Sequence, residues 1–235
     1  MVGSRKKWSV ASFRSSFGIK EGVSISPLPT AQRKMYIPTA HKIDDRELIV
    51  ELMRQNSFAT LVSVADGMPV ATHLPILVEA GETIVLSGHM ARQNQQWKIL
   101  QSESNSLVIF AGPHGYVSPT WYESRPNVPT WNYVSIHAYG TVELIKDDDE
   151  ALAHLERMVN TFDPTLAEVQ PESMDRAFLR KLLPGIVAFR MTVTHVDAKA
   201  KLNQNKAEAD RNAVRQRYAV SDEPDEKKMG EMMGR

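Results

Sequence analysis

Four stretches of the chain set imidazoles, amides, ammonium groups and aromatic rings beside Gly or Pro, a mixture suited to gripping a flat, charged ligand. In Ala71-Thr72-His73-Leu74-Pro75 the proline ends a strand ladder, because it has no N–H to donate. His73 then either points into a cleft or sits satisfied in the interior. In Ser87-Gly88-His89-Met90-Ala91-Arg92-Gln93-Asn94-Gln95-Gln96-Trp97 a strand passes into a helix at Gly88. N–H groups at a helix start favour an anion, and Gly88 permits close approach. Arg92 adds charge, while Asn94 and Gln96 offer amides to a ring edge or a polyol. The bland alternative is a glycine turn with a solvated helix face.

The third stretch runs from Gly112 to Tyr122, resumes at Val128-Pro129-Thr130-Trp131-Asn132-Tyr133 and is followed by His137. Five aromatics fall within the 18 residues from Tyr116 to Tyr133. Rings framed by proline can stack on a planar ligand, pack a subunit interface or seal a small core. The fourth, Lys199-Ala200-Lys201-Leu202-Asn203-Gln204-Asn205-Lys206, joins ammonium groups to amides. Such a set suits a phosphate with a polar tail, or else forms a solvated charged turn.

These stretches lie among short strands. Asp44 and Glu47 make a capping box for a helix with an apolar stripe at Leu48, Ile49, Leu52 and Met53. Phe58 to Val64 reads as a buried strand, Ala65-Asp66-Gly67 as a hairpin turn, and Met68 to Val78 and Thr83 to Gly88 as further strands. Met90 to Leu100 reads as a helix, Leu107 to Ala111 as a strand, Gly112 to Trp131 as loop and Asn132 to Leu144 as a strand. Helices follow from Asp147 to about Asn160 and from Met174 to Leu183. In Ile186 to Val196, Val187, Phe189, Met191 and Val193 share one face. From Ser221 the chain is expected to fray. Hairpin-spaced strands with a few helices predict an antiparallel barrel with peripheral helices, a mostly β, α+β fold.

Composition narrows the function classes. Cysteine is absent, which excludes disulfides and thiolate metal sites. No apolar run approaches the roughly 18 residues that span a bilayer. The seven His are scattered, with no metal-ligand spacing. Dinucleotide-binding, Walker, zincin and nucleophile-elbow motifs are all missing. The net charge is zero but uneven: residues 1–34 carry seven basic side chains and one acid, a net of +6. The remainder is therefore acidic and a poor generic binder of nucleic acid. Residues 1–34 read as a disordered leader: an upstream start, a transit-like peptide or a basic arm.

At the four stretches the chain resembles the PaiB-like FMN-binding family. The resemblance rests on Met35-Tyr36-Ile37-Pro38, Phe58 to Ser63, Ala71 to Pro75, Gly88-His89-Met90-Ala91-Arg92, Gly112 to Tyr122, Val128 to Tyr133 and Lys201-Leu202-Asn203-Gln204-Asn205. It covers roughly residues 35–218, leaving 1–34 as leader and 219–235 as a flexible tail. Two departures stand out: Gln95 replaces the usual proline of Asn-Pro-Gln-Trp, and Ala200 and Asn203 replace a Trp and a Ser near the end.

The resemblance implies an antiparallel split β-barrel related to pyridoxamine-phosphate oxidases and flavin reductases. It also implies a cytoplasmic homodimer with FMN between subunits, acting as a negative transcriptional regulator with a DNA or regulatory-protein partner and no membrane. In that reading Trp131 and neighbouring loop residues line the ring slot. Thr72, His73, Asn94 and Gln96 address polar edges, Arg92 and Lys201 face the phosphate, and Gly88, His89, Asn132, His137 and Gln204 complete the cofactor-binding set. The rival reading is an FMN-dependent oxidoreductase in which His73, His89 or His137 relays protons. A haem-binding barrel with His89 or His137 as axial ligand is a third.

Overall fold

The computed structural model describes residues 35–102 and 105–234; the leader expected at 1–34 lies outside the described residues. In chain order the elements are α1 (Arg46–Gln55), β1 (Phe58–Ala65), β2 (Met68–Pro75), β3 (Leu77–Ala80), β4 (Ile84–Ala91), α2 (Gln96–Ser102), β5 (Asn105–Val117), β6 (Thr130–Leu144), α3 (Asp148–Phe162), α4 (Leu166–Val169), α5 (Arg176–Leu182), β7 (Ile186–Lys201), α6 (Glu208–Ala219) and α7 (Pro224–Met232). All seven strands join one sheet in the order β2-β1-β5-β6-β7-β4-β3, and every neighbouring pair is antiparallel.

The sheet curls on itself as a split barrel. Its closure explains Gly88: a Cβ there would lie 2.8 Å from Leu74 Cδ1 on β2 and 3.1 Å from the Phe189 ring. The glycine lets the two ends of the sheet meet over a shared core. That core holds Leu61, Leu86, Val108, Phe110, Ile136 and Met191, all at most 1% exposed, with Ile49, Leu52 and Met53 of α1 packed on it.

Local chemistry sets the boundaries. Asp66 (φ 51°) and Gly67 (φ 77°) make the expected hairpin turn between β1 and β2, a conformation with positive φ at both central positions. α1 is capped by Asp45, not Asp44: its carboxylate accepts from the Glu47 and Leu48 N–H groups at 2.9 and 3.1 Å. The same device starts α3 at Asp147 and α5 at Asp175.

Several elements differ from the sequence reading. β4 runs through His89 to Ala91, so the following helix begins only at Gln96. β5 and β6 invade both ends of the expected loop, and β7 extends to Lys201. The segment expected to fray carries α7, whose Met229 is fully buried with Tyr218, Val214, Val117 and Tyr122 in a small second core. α6, which supplies Val214 and Tyr218, was not anticipated because its apolar residues are few. No helix among the described residues is long and apolar enough to cross a membrane.

Candidate functional site

The site is made by two changes of strand phase on either side of β6. Along β6 the side chains alternate without interruption, the even-numbered inward and the odd-numbered outward. β5 carries one extra residue between Ala111 and His114, opposite Ser135 to Tyr133. β7 carries one between Val193 and His195, opposite Gly140 and Tyr139. A one-residue slip moves every later side chain to the other face. Beyond the slips, His114 and Tyr116 of β5 and His195, Asp197, Lys199 and Lys201 of β7 therefore stand on the outer face beside Trp131, Tyr133, Ser135, His137 and Tyr139.

Two glycines make room for these bulges. A Cβ at Gly112 would sit 2.8 Å from Val134 Cβ, and one at Gly140 would collide with the Thr192 carbonyl oxygen. The extra residue, Thr194, donates its hydroxyl to the Tyr139 carbonyl at 3.3 Å.

On this outer face His195 Nε2 meets Asp197 Oδ1 at 2.8 Å, and the Met35 backbone N–H donates to the other carboxylate oxygen at 2.9 Å. The Tyr139 ring centroid lies 5.8 Å from that of His195 and 6.4 Å from that of His137. Burial lowers the His137 pKa, opposed by the Asp197 charge, while burial and the same charge raise that of Tyr139. Next along β7, Lys199 donates to the Tyr36 carbonyl at 3.1 Å and lies over the Tyr133 ring at 5.0 Å. The Lys201 ammonium reaches the Thr130 hydroxyl. Burial lowers the Lys201 pKa and Lys199 adds to this, with Tyr133 opposing.

Gln204 closes the cationic end. Its Oε1 accepts from His41 Nδ1 at 2.8 Å and from the Leu202 N–H at 2.7 Å. Toward β5 the face becomes aromatic: half-exposed Trp131 meets His114 and Tyr116 edge-on at 5.6 and 5.9 Å. Toward β1 it becomes apolar, through Leu107, Ile109, Thr60 and Val62 in register.

Of the residues singled out from sequence, Trp131, His137, Lys201 and Gln204 fall together here. Asn132 neighbours them in sequence but points inward, fully buried, with its Nδ2 3.8 Å from Met233 Sδ. Thr72, Asn94 and Gln96 form a separate closed network. Asn94 donates to the Thr72 hydroxyl at 2.8 Å, and Thr72 donates to Gln96 Oε1 at 2.5 Å. Gln96 Nε2 reaches the Leu61 and Val70 carbonyls and the Ser63 hydroxyl at 3.1 to 3.2 Å. His73 stands exposed on β2, stacked on Phe58.

Gly88, His89 and Arg92 form a third place. Arg92 donates to the Pro184 and Ile186 carbonyls at 2.8 and 2.6 Å. His89 meets His154 of α3 at 3.2 Å. The sequence reading thus missed His195, Asp197, Ser135 and Tyr139. Their signal is the shift of the apolar positions in β7 from Val187, Phe189, Met191 and Val193 to Val196, Ala198 and Ala200.

The donor set on the outer face suits a flat phosphorylated heteroaromatic. Rings and aliphatic side chains can wall a planar system, two ammonium groups can meet a phosphate, and hydroxyl and imidazole groups can address a polar edge. Trp131, Tyr133, Ser135, His137, Lys199 and Lys201 are accordingly the candidates to hold such a ligand.

Comparison with known proteins agrees with this chemistry. Residues 35–195 match the family model described as "Putative FMN-binding domain". Protease synthase and sporulation protein PAI 2 of Bacillus subtilis (strain 168) is 36% identical over 201 residues, 85% of this chain and 96% of that protein. Uncharacterized protein AN0679 of Emericella nidulans is 27% identical over 222 residues, 77% of this chain and 88% of that one.

Among solved structures, the FAD and heme binding protein from Mycobacterium smegmatis superimposes with TM-score 0.53 at 19% identity, over 74% of this chain and 79% of that one. The flavocytochrome Anf3 from Azotobacter vinelandii does so with TM-score 0.54 at 16% identity, over 66% and 67%. At such identities they share the fold. The extent of the family match and the similarity to PAI 2 establish that this chain belongs to the PaiB-like FMN-binding family, with FMN as its cofactor.

Proposed function

We propose that the chain is a PaiB-type FMN-binding regulator that works as a homodimer, with the flavin enclosed between two outer faces of β1, β5, β6 and β7. The observation that carries this is the part of the sheet that no helix covers among the described residues. Elsewhere the outer side chains of β4 and β7 meet α3, but here half-buried Leu107 and Ile109 share a face with half-buried Lys201, buried Lys199 and the rings of Trp131 and Tyr139. A second copy laid on that face would exclude water from the apolar half and keep the polar half for the cofactor.

When bound, the isoalloxazine supplies electron- or hydride-transfer chemistry. The chain's own residues orient it, neutralise its phosphate and shield its ring. Redox or ligand state would alter the dimer surface and so its hold on a DNA or protein partner, with cytoplasmic residence as part of the same reading. Direct DNA contact would fall to the basic residues 1–34, because the rest of the chain is acidic.

The test is titration of the purified full chain with FMN, followed by flavin fluorescence and light scattering. The expected result is one FMN bound per chain, a dimeric mass and a raised melting temperature. Protein that stays colourless in excess FMN, with no thermal shift, overturns the reading. A second reading, an FMN-dependent oxidoreductase, is favoured by the titratable His137, Tyr139 and His195 on the same face. Rapid anaerobic bleaching of bound flavin by NADH or NADPH would select it.

A further inference from the structure

We propose that His195, held by Asp197, is the residue through which this face takes up the proton that accompanies two-electron reduction of its bound ligand; the inference rests on the flavin reading above. Three independent features converge on it. The bulge at Thr194 turns β7 so that His195 faces outward beside His137 and Tyr139 instead of into the barrel. Asp197 is 8% exposed and both of its oxygens are engaged, one by His195 and one by the Met35 N–H, so the carboxylate is fixed in place. The imidazole it holds is itself 39% exposed, and no hydrogen bond engages its Nδ1 among the described residues.

A carboxylate that accepts from Nε2–H fixes the tautomer and leaves Nδ1 as the acceptor. This is the orienting logic of a His–Asp pair in acid–base catalysis. The groups that face His195 are Asp197 on its own strand and Tyr139 and His137 on β6. Lys199 lies one outward position beyond Asp197, and the segment at Met35 and Tyr36 crosses above.

The balance of the step is simple. A hydride donor of the dihydronicotinamide class breaks one C–H bond, is oxidised by two electrons and passes the hydride to the ligand ring, where one new bond to hydrogen forms. The hydride leaves the acceptor one negative charge richer. His195 answers by binding one proton at Nδ1, taken from hydronium, which forms one N–H bond and restores the charge of the pair.

The test is a redox titration of the FMN-loaded full chain against reference dyes across about pH 5 to 9, the window in which imidazole titrates. The wild type is expected to show a break in the pH dependence of the midpoint potential. His195→Gln should abolish the break while FMN affinity stays within about threefold. Asp197→Asn should move it to lower pH, because the imidazolium loses its carboxylate, and Asp197→Glu should retain it.

A break that persists in His195→Gln with FMN bound as in the wild type overturns the proposal and leaves the flavin reading intact. Wild-type protein that takes up no FMN overturns both, and shows itself before any potential is measured. Should His195→Gln not fold, imidazole NMR signals of the wild type decide. One must titrate at higher pH with reduced FMN than with oxidised FMN, and identical titrations overturn the proposal.

Discussion

Two patches on the outside of the sheet each hold a histidine against a titratable partner, and the partners make them opposites. Under α3, His89 meets His154 at 3.2 Å, and burial, His89 and Arg157 push the His154 pKa down to about 4. His154 is fully buried, and among the described residues neither its Nδ1 nor Ser87 Oγ has a hydrogen-bond partner. On the bare side, His195 meets a carboxylate at 2.8 Å and keeps an open nitrogen. A covered imidazole without a counter-charge is held neutral. An uncovered one beside Asp197 stays oriented by the carboxylate, with its ring 39% exposed. Chemistry is therefore expected where no helix covers the sheet.

The most forceful way to break this contrast is to remove the phase change that builds the bare patch. Gly140→Val places a branched side chain against the Thr192 carbonyl. It should cost about 4 kcal/mol of stability in urea unfolding and abolish FMN binding.

The covered patch should show itself in acid. The folded His154 pKa lies near 4 and the unfolded one near 6.5, so between those values the unfolded chain holds more protons. Stability from this group is then complete above about pH 6.5 and falls by about 3 kcal/mol as pH drops toward 4. A His154→Gln variant that keeps the full acid loss in a urea–pH series would refute this assignment.

A third prediction separates scaffold from site. Gln96→Leu leaves the Thr72 and Ser63 hydroxyls and the Leu61 and Val70 carbonyls short of a partner. It should destabilise by about 2 kcal/mol and leave the FMN dissociation constant within about threefold. The smallest effect sharpens the cationic end. Lys201→Gln should weaken FMN about tenfold, near 1.4 kcal/mol, with stability changed by less than about 0.5 kcal/mol.

Much of the barrel was legible because strand period, turn chemistry and proline breaks act locally. Asp66-Gly67 set a hairpin, and Pro75 ended β2 where the missing N–H demanded it. What escaped was non-local. Arg92 and Gln96 carry the charge and amides a phosphate or ring would want, yet distant carbonyls claim them, at Pro184 and Ile186 for one and at Leu61 and Val70 for the other. Gly88 reads as an anion turn but is glycine because Leu74 and Phe189 crowd it.

α7 carries charge like a solvated tail, yet Met229 finds Tyr218 across the fold. The site's own pattern was present in β7 as apolar positions that change parity after Val193. A regular alternation imposed on that strand would turn His195, Asp197, Lys199 and Lys201 toward the interior, so only the observed slip reveals them together.

The amide of Met35 on the Asp197 carboxylate gives the segment around that residue an unusual leverage. A polypeptide trimmed to begin at that methionine would present an α-ammonium there instead, a group that titrates near pH 8. The carboxylate would then hold an ammonium on one oxygen and the imidazole on the other, and a single cleaved peptide bond would change the charge beside His195 without altering any residue proposed to meet the ligand.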